Sequence, residues 1–227
     1  MSPRRIGVVL EAGDKRIFAS AIDWPGWSRS ARDEAGALAT LLAYAPRYAR
    51  AVARVGGFDP PADTNAFDVV ERLDGGSGTD FGVPSSESTA DARPIDAVEL
   101  DRQIAILEAS RNAFEQAAGD AVGVALSTGP RGGGRSLEKI VRHVVEADQA
   151  YLQQLGSKPP MRDSQSPENY GASIRELQLQ ALRARVHGDQ PPNPNAVKRL
   201  WTPRYFLRRA AWHLLDHAWE IEDRSAG

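Results

Sequence analysis

The chain has 227 residues, of which 41% are hydrophobic and 26% are charged, the composition of a soluble globular protein with a buried core. Its formal net charge is −2 and its pI is near 6.1, without the clustered basic excess of nucleic-acid-binding domains. We therefore expect no nucleic-acid partner. The sequence contains no cysteine, which excludes disulfides, thiolate metal ligands and a cysteine nucleophile. A transition-metal site in this chain has to be built from His, Asp and Glu.

The apolar stretches are short. None approaches the roughly 18 to 20 consecutive apolar residues that a membrane-spanning helix requires. The first apolar run follows Arg4 and Arg5 and ends at Glu11, which is too short for the core of a signal peptide. These patterns predict a cytoplasmic protein with no membrane partner.

The N-terminal third has the pattern of a small α/β domain. Two apolar runs with β-branched residues flank a turn, an Ala- and Leu-rich stretch follows, and a third apolar run closes the region. Ser30, with Asp33 three residues later, is typical of a helix start. The predicted order is strand, strand, helix and strand, over residues 6–10, 17–22, 30–55 and 67–73. This predicts an α/β domain over residues 1–74.

Residues 75–94 are rich in Gly, Ser, Thr, Asp and Pro, so we predict a linker there. The region 95–227 beyond it has helical spacing of its apolar residues, interrupted by Gly- and Pro-rich stretches. The predicted helices cover residues 95–118, 136–155, 168–187 and 203–223. Four such helices predict a bundle, and the whole chain is predicted to belong to the α+β class.

The placement of the four histidines is the most informative feature of the sequence. His213 and His217 are four residues apart on the last predicted helix, so they point the same way from consecutive turns. His143 lies at the flank of the apolar face of the second predicted helix, beside the small residues Ala147 and Ala150. Three converging imidazoles would bind a divalent transition metal, zinc or nickel, and leave coordination positions open for a substrate.

A second interpretation stays open for each of these residues. A single histidine at the edge of an apolar helix face is more often a hydrogen-bonded packing residue than a ligand. His187 precedes Gly188 at a predicted helix end, where a cation complements the helix dipole, so we interpret it as a cap. Glu220 follows His217 by three residues and is a candidate to orient an imidazole or to accept a proton. The alternative for Glu220, as for Asp216 and Glu146, is a solvated helix face.

The residues around these histidines resemble the DinB-like family. The matching segments are LEKIVRHVVEAD at 137–148, which contains His143, and WHLLDH at 212–217, which contains His213 and His217. Members of that family are four-helix bundles with one metal-binding histidine on the second helix and a His-x-x-x-His pair on the fourth. The resemblance covers about residues 95–223. It implies a thiol-dependent transferase or isomerase that uses a low-molecular-weight thiol of the mycothiol or bacillithiol type, or a hydrolase.

The N-terminal region is similar to HicB-like domains over about residues 4–73. The similarity lies in the two strands, the segment IDWPGW at 22–27 and the following helix with DEA at 33–35. The family occurs in antitoxins, but this chain lacks the DNA-binding segment that they carry. We therefore favour a packing or dimerisation role for this region.

Two function classes follow from these observations. In the first, the chain is a metal-dependent transferase or hydrolase that acts on a small-molecule substrate. In the second, it is a non-catalytic interaction protein, antitoxin-like, with the helical bundle as a scaffold.

Trp212 and Trp219 project away from the histidine edge, which predicts contact with the N-terminal domain or with a second subunit of a homodimer. The Gly-rich segment 129–135 lacks the Walker pattern and is interpreted as an interhelical loop.

Overall fold

The computed structural model describes residues 5–128, 134–162 and 166–226. A small four-stranded sheet near the N-terminus precedes a helical region, which confirms the predicted α+β class. The strands are β1 Ile6–Ala12, β2 Ile17–Ala21, β3 Ser28–Ala31 and β4 Phe67–Asp74. The α-helices are α1 Glu34–Ala43, α2 Ala45–Ala51, α3 Ser77–Phe81, α4 Ala97–Asp120, α5 Leu137–Gln154, α6 Pro167–His187 and α7 Pro203–Ser225.

The sheet has the strand order β3-β2-β1-β4. β1 pairs with β2 in antiparallel fashion and with β4 in parallel fashion. The strand predicted over residues 67–73 is thus present as β4, and it lies beside β1 after the chain has crossed over through α1 and α2. β3 was not predicted, because its sequence Ser-Arg-Ser-Ala lacks the alternation of apolar and polar residues that marks a half-buried strand.

The helix predicted over 30–55 is two helices, and its predicted start was wrong. Ser30 lies in β3, and Asp33 is the N-cap of α1, where its carboxylate accepts a hydrogen bond from the Gly36 amide at 2.7 Å. α1 ends at Ala43, with Tyr44 as its C-cap, and Pro46 occupies the first turn of α2. Proline has no backbone N–H to donate to the carbonyl of Leu42, so the helix cannot continue through it, but the first turn of a new helix tolerates it.

The segment predicted as a linker, 75–94, contains α3 and a 3-10 helix, Thr89–Ala92. The buried carboxylate of Glu11 on β1 accepts hydrogen bonds from the backbone amides of Ser85 and Ser86. Asp91 is also buried, and it receives two hydrogen bonds from the guanidinium of Arg208 on α7 at 2.6 and 3.1 Å. This segment is therefore fastened at both ends, to the sheet and to α7.

The four helices predicted beyond residue 95 are present, and their ends agree with the prediction to within a few residues. Side chains at their N-caps account for several of the starts: Asp96 before α4, Ser166 before α6 and Thr202 before α7 each accept a hydrogen bond from a backbone amide of the first turn. These helices share one apolar core. In the part of the chain that the structure describes, no helix is both long enough and apolar enough to span a membrane.

Helix α7 also forms part of the core of the N-terminal region. Leu215 and Trp219 of α7 and Ile106 of α4 pack in the same cluster as the sheet and α1. Trp212 contacts Phe18 of β2 edge to face, with ring centroids 6.1 Å apart. Both indoles are 3% exposed, so the predicted contact of these tryptophans with the N-terminal region is confirmed.

The Arg208–Asp91 pair yields a prediction on stability. The Asp91→Ala substitution leaves the Arg208 cation buried without its partner, and we expect the free energy of unfolding to fall by about 3 to 5 kcal/mol. Urea denaturation measures this. The matched control is Arg72→Ala, because Arg72 and Glu34 form an exposed ion pair, which contributes little. An equal decrease in the free energy of unfolding of the two variants would contradict the importance that we assign to the buried pair.

Candidate metal centre

Helices α5 and α7 bring three imidazoles together. His213 and His217 lie on consecutive turns of α7, with ring centroids 4.6 Å apart. The ring of His143, from the facing side of α5, lies 5.1 Å from each of them. Each histidine offers one ring nitrogen, and these three atoms lie within 4.8 Å of one another. The three residues that the sequence singled out as ligands are therefore clustered.

The spacing of the ring nitrogens fits a shared cation. Nε2 of His213 lies 3.2 Å from Nε2 of His143. Two nitrogens that bind one zinc ion at its usual bond length in tetrahedral geometry lie about 3.3 Å apart. The donor set of three nitrogens and no sulfur suits several divalent transition metals, zinc and nickel among them, since imidazole is a good ligand for these ions. The chain thus fits a divalent transition metal at this position.

The three histidines differ in exposure. His213 and His217 are each 7% exposed, because α7 is covered along most of its length. His143 is only half-buried, so it is the most exposed member of the cluster.

Glu220 and Arg224 hold the imidazole of His217 in place. Nδ1 of His217 donates a hydrogen bond to Oε2 of Glu220 at 2.8 Å, which leaves Nε2 as the free nitrogen of that ring. The guanidinium of Arg224 donates to the other carboxylate oxygen of Glu220 at 2.9 Å. The same guanidinium donates to the backbone carbonyls of Ser127 and Arg135, and these hydrogen bonds hold the side chain of Arg224 in position. The hydrogen bond from His217 lowers the pKa of Glu220 more than its burial raises it.

The pKa values of the other two imidazoles are lowered. Burial lowers the pKa of His213 well below the ordinary value, and the charges of a protonated His217 and of Arg209 act in the same direction. The pKa of His143 is also lowered, first by burial and then by the charge of His217. A neutral imidazole is the form that binds metal ions, so this environment favours ligation at neutral pH.

The other acidic candidates and the fourth histidine lie outside the cluster. Asp216 faces the N-terminal region, where it pairs with Arg29 at 3.0 Å. Glu146 is exposed on α5. His187 is exposed in the last turn of α6, directly before the C-cap residue Gly188, so its predicted position at a helix end is confirmed. Of the Gly-rich segment, residues 129–133 lie outside the described residues.

One residue of this site was not singled out from the sequence. Arg209 precedes His213 by four residues on α7 and is 8% exposed. Its Nη1 atom is buried without a hydrogen-bond partner. The sequence spacing could have indicated it, because Arg209, His213 and His217 are four residues apart in turn and therefore lie on one face of the helix. An arginine on a helix is ordinarily solvated, so sequence reasoning passes over it.

No family model, curated protein or solved structure matches this chain. The resemblances to the DinB-like and HicB-like families therefore stay predictions that depend on the residues quoted for them. The case for a function has to be made from the geometry of the site.

The lowered pKa of His213 yields a prediction on the pH dependence of stability. Between pH 6.5 and the lowered value, the unfolded chain binds a proton at this residue that the folded chain does not. The free energy of unfolding of the metal-free protein therefore falls as the pH falls through this window, with a limiting slope of about 1.4 kcal/mol per pH unit for one proton. Urea denaturation between pH 6.5 and pH 5 measures this slope.

The His213→Gln variant should show a shallower slope than the wild-type protein over the same range. His187→Gln is the control, because that side chain is exposed, and it should keep the wild-type slope. A slope unchanged in His213→Gln would show that the imidazole of His213 is not held neutral by its surroundings.

Proposed function

We propose that the chain is a metal-dependent enzyme of the DinB-like type, in which His143, His213 and His217 hold a zinc or nickel ion. The observation that carries the proposal is the convergence of three ring nitrogens from two helices, two of them 3.2 Å apart. A packing role for each histidine alone gives no reason for three imidazoles to meet. Like-charged protonation of such neighbours is unfavourable, whereas a shared cation between neutral rings is stabilising.

The reaction class that we propose is transfer or hydrolysis with a thiol or water as the nucleophile. A divalent ion held by three protein ligands acts as a Lewis acid and lowers the pKa of a water or thiol that approaches it. The chain has no cysteine of its own, so a thiol would come from a low-molecular-weight cosubstrate of the mycothiol or bacillithiol type. The half-buried side of His143 is where the small-molecule substrate would enter.

The residues around the cluster support this role. The carboxylate of Glu220 accepts hydrogen bonds from Nδ1 of His217 and from the guanidinium of Arg224, so the ring of His217 has a fixed orientation before any ligand binds. The carboxylate of Glu220 is on the Nδ1 side of the ring, away from the free nitrogen. We therefore assign it an orienting role in preference to the role of general base.

For the N-terminal region we propose a HicB-like fold that serves as a packing module. Two contacts with α7 support this: Phe18 packs on Trp212, and Arg29 forms an ion pair with Asp216. Asp216 follows His213 by three residues on the same helix. The sheet thereby covers the face of α7 that lies opposite the other long helices and fixes the position of the helix that carries two of the three histidines.

The metal site is tested by isothermal titration of the chelator-treated protein with zinc and with nickel. We expect one ion per chain for the wild-type protein and for His187→Ala. His143→Ala, His213→Ala and His217→Ala should each lose tight binding while remaining folded. Glu220→Gln should weaken binding by about 10- to 100-fold, because it loosens the orientation of a ligand without removing one. Wild-type protein that binds neither ion would overturn the proposal.

A second prediction separates an open catalytic site from a closed structural one. Cobalt can replace zinc and reports its ligands by absorption, so the cobalt-loaded protein is titrated with mycothiol and, in parallel, with bacillithiol. An open site should give a thiolate-to-cobalt charge-transfer band on addition of at least one of these thiols. The same titration on His143→Ala is the control. Bound cobalt whose spectrum neither thiol changes would refute the thiol-dependent reaction.

A further inference from the structure

Arg209 is an unpaired cation inside the protein. Four arginines are buried within the described ranges, and three of them bond a carboxylate: Arg111 with Asp148, Arg208 with Asp91 and Arg224 with Glu220. Arg209 has no carboxylate partner and no hydrogen-bond acceptor among the residues that the structure describes, and its Nη1 atom is wholly buried. Burial of a charge without a partner costs free energy, and an arginine cannot avoid this by losing its proton, because its pKa is too high.

The guanidinium of Arg209 is nevertheless held in a defined place by aromatic rings. Its central carbon lies 4.7 Å from the ring centroid of Trp212 and 5.5 Å from that of Tyr151. Cation–π contacts of this kind offset part of the cost of burial and leave the N–H groups without an acceptor. The indole nitrogen of Trp212 is a second buried donor that lacks a partner. Two unsatisfied donors therefore lie together on this part of α7.

This pair of donors adjoins the histidine cluster. Arg209 is one helical turn before His213, and residues at that spacing are neighbours on a helix surface. The ring of Tyr151 lies 5.8 Å from the ring of His213, so the same tyrosine contacts both groups. A ligand at the histidines would therefore be within reach of the guanidinium.

We infer that Arg209 binds the carboxylate of a small organic acid whose reacting group faces the three histidines. The inference rests on the proposed function, because it places the substrate at the open metal site. A carboxylate is the group that pairs with a guanidinium through parallel hydrogen bonds, and its single negative charge balances the single unpaired cation.

The test compares benzoate with benzamide, which has nearly the same shape and no charge. The binding of each is measured by the shift in thermal unfolding, at constant ionic strength, for zinc-loaded and for chelator-treated protein. We expect the zinc-loaded wild-type protein to bind benzoate at least about tenfold more tightly than benzamide, as a charge-assisted hydrogen bond implies. Arg209→Gln should lose this preference and still bind zinc, and Arg209→Lys should keep part of it.

Arg204→Gln is the matched control. Arg204 lies on the same helix, and its guanidinium donates to the carbonyls of Arg93 and Pro94, so its loss should leave the preference for benzoate intact. Equal binding of benzoate and benzamide by the wild-type protein would overturn the inference without the use of any variant. An undiminished preference in Arg209→Gln would also overturn it, because the metal alone would then explain the binding of the acid.

The two proposals fail in different ways. If zinc binds at one ion per chain and the acid is not preferred, the anion site is wrong and the metal site stands. If zinc does not bind and benzoate is still preferred in an Arg209-dependent manner in the chelator-treated protein, the anion site stands and the metal-dependent function falls.

Discussion

The burial of α7 is the constraint on which the rest of the structure depends. The sheet and the other long helices cover most of this helix, so several of its charged and polar side chains are buried together with its apolar ones. A buried charge has to be paired with an opposite charge, be neutralised by a shift of its pKa, or bind a ligand. Arg208 is paired with Asp91, and Arg224 is paired with Glu220. His213 is neutralised by a lowered pKa.

The candidate site contains the buried polar groups of α7 that have no charged partner in these ion pairs. The free nitrogens of the imidazoles of α7 converge on that of His143, two of them within hydrogen-bond distance of each other, and the guanidinium of Arg209 has no acceptor among the described residues. One cation among the nitrogens and one anion against the guanidinium would satisfy both. On this account the binding of a metal and of an acid follows from the same physical requirement, which is that buried polar groups find partners.

The periodicity of apolar residues was enough to predict the long helices and three strands, because each has a continuous face to bury. β3 was missed, since its four residues pair through their backbones and carry no apolar signal. The histidine cluster was predicted from an i, i+4 pair and one further histidine. Arg209 was not, because the sequence does not reveal that the sheet covers the side of α7 opposite the other helices and so buries its charges. That burial is a tertiary effect.

The central claim is that the three imidazoles bind a single ion. X-ray absorption spectroscopy of the zinc-loaded protein tests it most directly, because the fine structure counts the imidazoles bound to the metal. The account predicts three imidazole nitrogens at about 2.0 to 2.1 Å, with one further light-atom ligand that changes when a small acid or thiol is added. A spectrum with no imidazole scattering, or with a single imidazole, would contradict it.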